Sequence, residues 1–203
     1  MEIEIRNSTK VLIRFFDILI ALILIILLSA PMAIISILIK ITSHGPAFFR
    51  QLRYGHNEKV FQIYKFRSMY TCEVDSGFKQ AVKNDVRVTK IGKFIRSTSI
   101  DELPQLFNVL VGEMTMVGAR PHPIALDDKF SKLIQNYMSR YKEKPGITGL
   151  AQINNCRGET DTLEKMENRI KYDIEYSDNV SIYLYFKILF LTPIVIIFNK
   201  NVY

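Results

Sequence analysis

Asp101 and Glu102 are adjacent carboxylates, and six basic side chains precede them between Lys79 and Arg96, opposed only by Asp85. Hard carboxylate oxygens beside that much positive charge suit a divalent ion and a phosphorylated substrate. Mg2+ typically takes one or two carboxylates and fills its shell with phosphate and water oxygens. An ionised aspartate can also accept a phosphoryl group, once cations neutralise the substrate charges that would otherwise repel it. Leu103, Leu106, Phe107 and Leu110 fall at helical spacing, which predicts a helix over Asp101 to Val111 with the acidic pair at its start. The positive potential of a helix N-terminus keeps a carboxylate ionised and attracts phosphate. Arg96, five residues before Asp101, can reach a phosphate held there.

A purely structural role fits the same residues. Ser99-Ile-Asp-Glu102 matches a capping box, in which Glu102 would accept the backbone N–H of Ser99. Pro104 favours Asp101 as the cap instead, because its missing N–H then falls in the first turn, where no partner exists anyway. The local sequence leaves both roles open.

The elements around the pair are legible in outline. Phe48 to Gln51 and Val60 to Phe66 read as short strands around a turn at Tyr54 to Glu58. Thr71 to Lys83 is polar and irregular, a surface loop. Lys144-Pro-Gly-Ile-Thr-Gly149 reads as a turn. Asp161 and Glu164 form a capping-box-like start to a late helix, whose apolar face holds Leu163, Met166, Ile170 and Ile174. Asp173 falls on the border of that face, where it could point into a cleft. Tyr183 to Phe198, interrupted by Lys187 and Pro193, is short for a membrane span and suits an interfacial or core helix.

One segment decides where this chemistry is met. Ile18 to Ile39 has no charged residue over 22 positions, and a membrane span needs roughly 20. Pro31 lies inside the run, with Ser29 two residues earlier able to satisfy freed backbone groups. Both flanks are basic, with Arg6, Lys10 and Arg14 before the run and Lys40, Arg50 and Arg53 after it. A crossing helix puts its basic excess on one side. The expectation is therefore a helix broken at Ser29-Ala-Pro31 that enters and leaves by one face, with a tilted crossing or a buried soluble helix as the alternatives.

The 203-residue chain suits one modest domain plus an appendage, and its net charge of +7 implies an anionic partner such as phosphate or acidic lipid. No finger spacing or aromatic-basic motif supports nucleic acid. Cys72 and Cys156 are isolated, as in a reducing compartment, and His44, His56 and His122 lack the paired spacing of a zinc site.

Four motifs in order carry a resemblance: Tyr64-Lys-Phe-Arg-Ser-Met69, Arg96-Ser-Thr-Ser-Ile-Asp-Glu-Leu-Pro-Gln-Leu-Phe-Asn-Val-Leu110, Gly112-Glu-Met-Thr-Met-Val-Gly-Ala-Arg-Pro121 and Lys144-Pro-Gly-Ile-Thr-Gly-Leu-Ala-Gln152. Together they resemble the bacterial sugar transferases, the monotopic polyprenyl-phosphate glycosyl-1-phosphate transferases, from about Arg14 to Thr192. The resemblance implies an α+β, mainly helical fold in the family's minimal catalytic-core form. Residues 1–42 would form a re-entrant membrane hairpin with its break at Ser29 and Pro31, 43–180 a small cytosolic catalytic domain with short strands, and 181–203 an interfacial or core helix. It implies transfer of a sugar-1-phosphate from a UDP-sugar (a UDP-hexose or a UDP-N-acetylated amino sugar) to undecaprenyl phosphate, with release of UMP. The location implied is the cytoplasmic face of the bacterial inner membrane, among membrane lipids and in a possible homodimer. Asp101 would be the nucleophile and a Mg2+ neighbour, and Glu102 would assist the metal or a proton transfer. Lys65 and Arg96 would hold phosphates, Arg120 would seat the nucleotide, and Asp173 matches a family aspartate near the substrate.

The chain departs from the family pattern in places. Ala119 stands where proline is common, which should loosen the Gly118-Ala-Arg-Pro121 loop; Leu150 replaces a common tryptophan; and Asn154-Asn-Cys-Arg157 differs from the usual Asn-Gly-x-Arg. The segment from Arg157 to Met166 resembles that of members using UDP-hexoses such as glucose or galactose. The alternatives are a membrane glycosyltransferase that releases UDP and a non-catalytic adaptor for anionic lipid.

Overall fold

A computed structural model describes residues 2–70, 82, 85–158, 160 and 162–198. The polar loop expected from Thr71 to Lys83 lies, Val82 excepted, outside them. The fold is mostly helical with two small sheets, as an α+β reading requires. It opens on α1, Glu2–Thr42, a 41-residue helix. β1 (Phe48–Tyr54) and β2 (Val60–Phe66) then form an antiparallel hairpin, with Phe48 opposite Phe66 and Tyr54 opposite Val60.

α2 (Lys90–Ser97) starts at Thr89, whose hydroxyl accepts the Gly92 N–H. A 3-10 turn, Ile100–Glu102, leads through Pro104 into α3 (Gln105–Val111). The acidic pair therefore sits on a tight turn before the helix and not on its first turn. Pro104 explains the division, since α3 begins where a missing N–H leaves no bond unmade.

β3 (Thr115–Val117) and β4 (Gly146–Thr148) pair in parallel. The Pro-Gly segment expected as a turn thus supplies a strand. Its glycines permit a close backbone crossing: a Cβ on Gly118 would lie 2.4 Å from the Lys144 carbonyl, and one on Gly146 only 2.0 Å from the Gly118 nitrogen. α4 (Ile124–Phe130) lies between these strands in sequence, and the short α5 (Leu150–Ile153) follows β4. The late helix α6 (Leu163–Asp178) is capped by Thr162, whose hydroxyl accepts the Lys165 N–H, while Asp161 lies outside the described residues. α7 (Ile182–Phe198) ends the described chain.

Three apolar clusters join these pieces. The largest unites Ile13 and Ala21 of α1, Leu106 and Val109 of α3, the β3 strand, and Tyr185 and Ile188 of α7. A second links α4 to α6 through Phe130, Tyr137, Met166 and Ile170. A third packs Met32 and Ile39 of α1 against Phe66 and Ile95. One stripe of α1, at Ile13, Asp17, Ala21, Met32 and Ile39, is buried along its length. The opposite face remains apolar and exposed, including Ile26 at 70% and Leu27 at 68%.

Polar anchors fix α1 as well. Asp17 accepts hydrogen bonds from the Met116 N–H at 2.8 Å, the Thr115 hydroxyl at 3.0 Å and the Tyr185 hydroxyl at 2.9 Å. Arg14 caps the open carbonyls of α3 by donating to Val109 O and Leu110 O. At the other end, Arg67 donates to the Ser43 carbonyl at 2.8 Å and to the His44 carbonyl. The helix continues through Pro31 where an interruption at Ser29-Ala-Pro31 was expected. Proline removes one hydrogen bond there; Ser29 donates to Ile26 O at 2.9 Å, and Leu28 and Met32 on either side dock into the third cluster.

Candidate active site

Glu102 is the electrostatic hub. Lys65 Nζ, from β2, donates to its Oε1 at 2.9 Å, and Arg120 Nη1 donates to its Oε2 at 2.9 Å. The second Arg120 nitrogen closes a bidentate fork on the same carboxylate. These two cations hold Glu102 ionised, well below the usual carboxylate range, against the penalty of its burial. The capping-box role is not taken up: Ser99 lies in the left-handed region at φ 60° and makes no side-chain cap bond, while the Glu102 side chain is spent on Lys65 and Arg120.

Asp101 is held differently. Among the described residues no hydrogen bond engages its carboxylate. Burial and the neighbouring Glu102 charge push its pKa up to about 6, against the opposing pull of Lys65, Arg120 and Arg96. Arg96, in the last turn of α2, is close enough to act on Asp101 through its charge. The structure thus gathers Lys65, Arg96, Asp101, Glu102 and Arg120 into one site, from β2, α2, the 3-10 turn and the loop after β3. Three cations face two carboxylates. That leaves net positive charge for a phosphate even when Asp101 is ionised.

The residues fit a divalent cation in part. No three His, Cys, Asp or Glu side chains cluster among the described residues, so such an ion would need phosphate or water oxygens to complete its shell. Asp101 offers an unengaged carboxylate. Glu102 has most of its acceptor capacity already taken, which makes Asp101 the natural first ligand.

Asp173 is a correction to its expected cleft position. It is 2% exposed, and its Oδ2 accepts a hydrogen bond from Arg140 Nη2 at 2.6 Å. In this arrangement its carboxylate faces Arg140 and not an open cleft. That guanidinium, fully buried, also donates to the Arg120 carbonyl at 2.8 Å. Beneath it, Asp127 accepts from Tyr137 at 2.7 Å and Tyr141 at 2.8 Å, and Arg140 donates to the ring of His122 at 2.6 Å. Burial and the surrounding arginines push His122 well below its ordinary range, so it is neutral and can accept that bond.

This network answers the expectation that Ala119 loosens its loop. Gly118 N donates to Thr148 O, Gly146 N to Ala119 O, Arg140 to Arg120 O and Arg53 Nη1 to Pro121 O, at 2.8 to 3.1 Å. Four consecutive residues are pinned without a proline at position 119. Arg53 and Arg140 were invisible as site residues in the sequence, since a lone arginine gives no sign that it will be buried under a loop. Arg157, part of a segment that departs from the family pattern, is hydrogen-bonded to the Ser99 hydroxyl. Ser29 and Pro31, both exposed on α1, are not part of this cluster.

The chain is 54% identical to a UDP-glucose:undecaprenyl-phosphate glucose-1-phosphate transferase of Klebsiella pneumoniae, over 94% of this chain and 41% of the relative. It is 49% identical to the protein of that name from Escherichia coli (strain K12), over 98% of this chain and 43% of the relative. It therefore spans about two fifths of these proteins. With an exopolysaccharide production protein, PSS, of Rhizobium leguminosarum bv. phaseoli it shares 44% identity over 91% of this chain and 94% of the relative. Residues 8–199 match the family described as bacterial sugar transferase, and the chain belongs to that family.

Proposed function

We propose that this protein transfers a hexose-1-phosphate from a UDP-hexose to undecaprenyl phosphate, releasing UMP and forming the diphosphate-linked lipid sugar. Glucose is the hexose favoured by the names of the two relatives quoted above. The observation that carries the reading is the division of labour within the acidic pair. Glu102 is neutralised by Lys65 and Arg120, whereas Asp101 keeps an unengaged carboxylate beside a cationic surface.

The steps follow from that asymmetry. A carboxylate oxygen of Asp101 attacks the β-phosphorus of the donor. The bond from that phosphorus to the bridging oxygen breaks, and its electron pair leaves with UMP. An oxygen of the lipid phosphate then attacks the same phosphorus, the Asp101–phosphorus bond breaks, and the carboxylate is restored. Arg96 and Arg120 lie where they can steady the equatorial phosphate oxygens, and Glu102 holds Lys65 and Arg120 in register. A Mg2+ ion at Asp101, when bound, would neutralise phosphate charge and favour the leaving group. Such a site excludes no proton chemistry but requires none at the nucleophile, which reacts as the anion.

The apolar helix fits one-sided seating in the cytoplasmic leaflet of the inner membrane. A 22-residue run is ~33 Å long as a straight helix, enough to carry its ends to opposite sides of a bilayer. Yet Arg14 on one side of the run and Ser43 on the other are hydrogen-bonded to one globular body. Those contacts support a reading in which the two flanks share a face and the catalytic turn stays at headgroup height, where the phosphate of a lipid acceptor lies.

Purified protein supplied with Mg2+, UDP-glucose and undecaprenyl phosphate should release UMP and form lipid product. Release of UDP instead would identify simple glycosyl transfer and overturn the proposal, as would the absence of any nucleotide product across a panel of UDP-sugars.

A further inference from the structure

A cavity of about 230 Å³ opens beside the catalytic turn. Glu102, Ser99 and Arg157 line it together with Leu24 of α1 and Val195 and Ile196 of α7. Gln152 also lines it and is 9% exposed. The outer faces of the same two helices are apolar and exposed, with Ile23 at 47%, Leu27 at 68% and Ile194 at 51%. A single depression therefore joins the carboxylate turn to the surface that meets lipid.

Building on the transfer reaction proposed above, we infer that this cavity between α1 and α7 seats the first isoprenoid units of the acceptor, with Arg157 at its phosphate. The chemistry of the lining selects such a ligand. A nucleotide or a sugar would leave most of its polar groups facing leucine, valine and isoleucine, and a buried polar group without a partner is strongly disfavoured. An isoprenoid chain matches the wall, and its phosphate would emerge next to Asp101. Arg157 also hydrogen-bonds Ser99, two residues before the nucleophile, so a phosphate held by Arg157 is registered to the reacting carboxylate.

Val195→Trp fills the cavity without touching the residues assigned to chemistry. The variant should keep the single equivalent of UMP released from UDP-glucose when no lipid is present, while its KM for undecaprenyl phosphate rises at least tenfold. An unchanged KM for the acceptor would overturn the inference while leaving the transfer reaction intact, because the UMP release reads that reaction separately. A second measurement needs neither the variant nor turnover. Wild-type protein irradiated with a diazirine-bearing polyprenyl phosphate should be labelled at Leu24, Val195 or Ile196, and excess undecaprenyl phosphate should suppress the label. Labelling confined to other residues, or equal suppression by phosphatidylglycerol, would assign the cavity to no acceptor, or to ordinary acyl chains, and contradict the inference.

Discussion

Neighbouring carboxylates with opposite environments are the central feature at the scale of single residues. Glu102 is over-neutralised and Asp101 under-neutralised, which under the proposed reaction makes the first a structural anchor and the second the reacting oxygen. In metal-free protein, 13C NMR of the side-chain carboxyls should find Asp101 titrating near pH 6, because burial and Glu102 both disfavour its charge. Glu102→Gln should move that titration down, since it removes the like charge and leaves Lys65 and Arg120 acting on Asp101 unopposed. An upward or absent shift would show that another group sets the Asp101 environment. Asp101→Asn should lower turnover by a factor on the order of 10³ or more, as expected for a missing nucleophile. The acidic pair itself was readable from sequence because two adjacent acids beside a basic run are conspicuous. Its division of labour was not, because Lys65 and Arg120 reach Glu102 from 37 and 18 residues away.

At the scale of elements, the site is a turn and a loop held by buried charge. Arg140 supports the Arg120 carbonyl and is itself supported by Asp173. Asp173→Ala leaves that arginine buried without its closest anion, and losing one partner of a buried pair typically removes about 3–5 kcal/mol of stability. Denaturant unfolding should show the loss; a change under about 1 kcal/mol would mean that Asp127 alone suffices for Arg140. Asp17→Ala should be destabilising as well, by roughly 1–3 kcal/mol for each donor left buried and unpaired among Met116 N, Thr115 and Tyr185. Thermal melting in detergent checks it. Sequence periodicity found the β1–β2 hairpin, α6 and α7, where local pattern and tertiary context agree. It missed β4, since Gly146-Ile-Thr148 is strand only by pairing with β3, a contact spanning some 30 residues. It placed Asp173 near a cleft because helical phase fixes the face a residue occupies, but not what covers that face. The capping-box alternative at Ser99 is not realised for the same reason, as tertiary cations claim the Glu102 side chain.

For the whole molecule, the arrangement of α1 couples location to chemistry. One stripe of the helix packs on the catalytic body, the other faces outward with large apolar side chains, and its flanks are tied to the same domain. Single cysteines at Ser8 and Thr42, introduced separately in oriented membranes, should both react with an impermeant thiol reagent from one side. Reaction from opposite sides would establish a crossing helix and remove the basis for headgroup-level seating. Divalent-ion dependence belongs to this scale too, because donor, acceptor and protein all bring negative oxygens to one point. Chelation should stop product formation and added Mg2+ should restore it; persistence of full activity in chelator would leave the arginines and Lys65 as the sole counter-charges. The most direct test of the account is intact and peptide mass spectrometry of protein mixed with UDP-glucose and Mg2+ without acceptor. It should find a hexose-phosphate adduct on the peptide carrying Asp101, matched by UMP and discharged by undecaprenyl phosphate. Lipid product formed at a normal rate by folded Asp101→Asn protein, with no adduct trapped on the wild-type carboxylate, would contradict it.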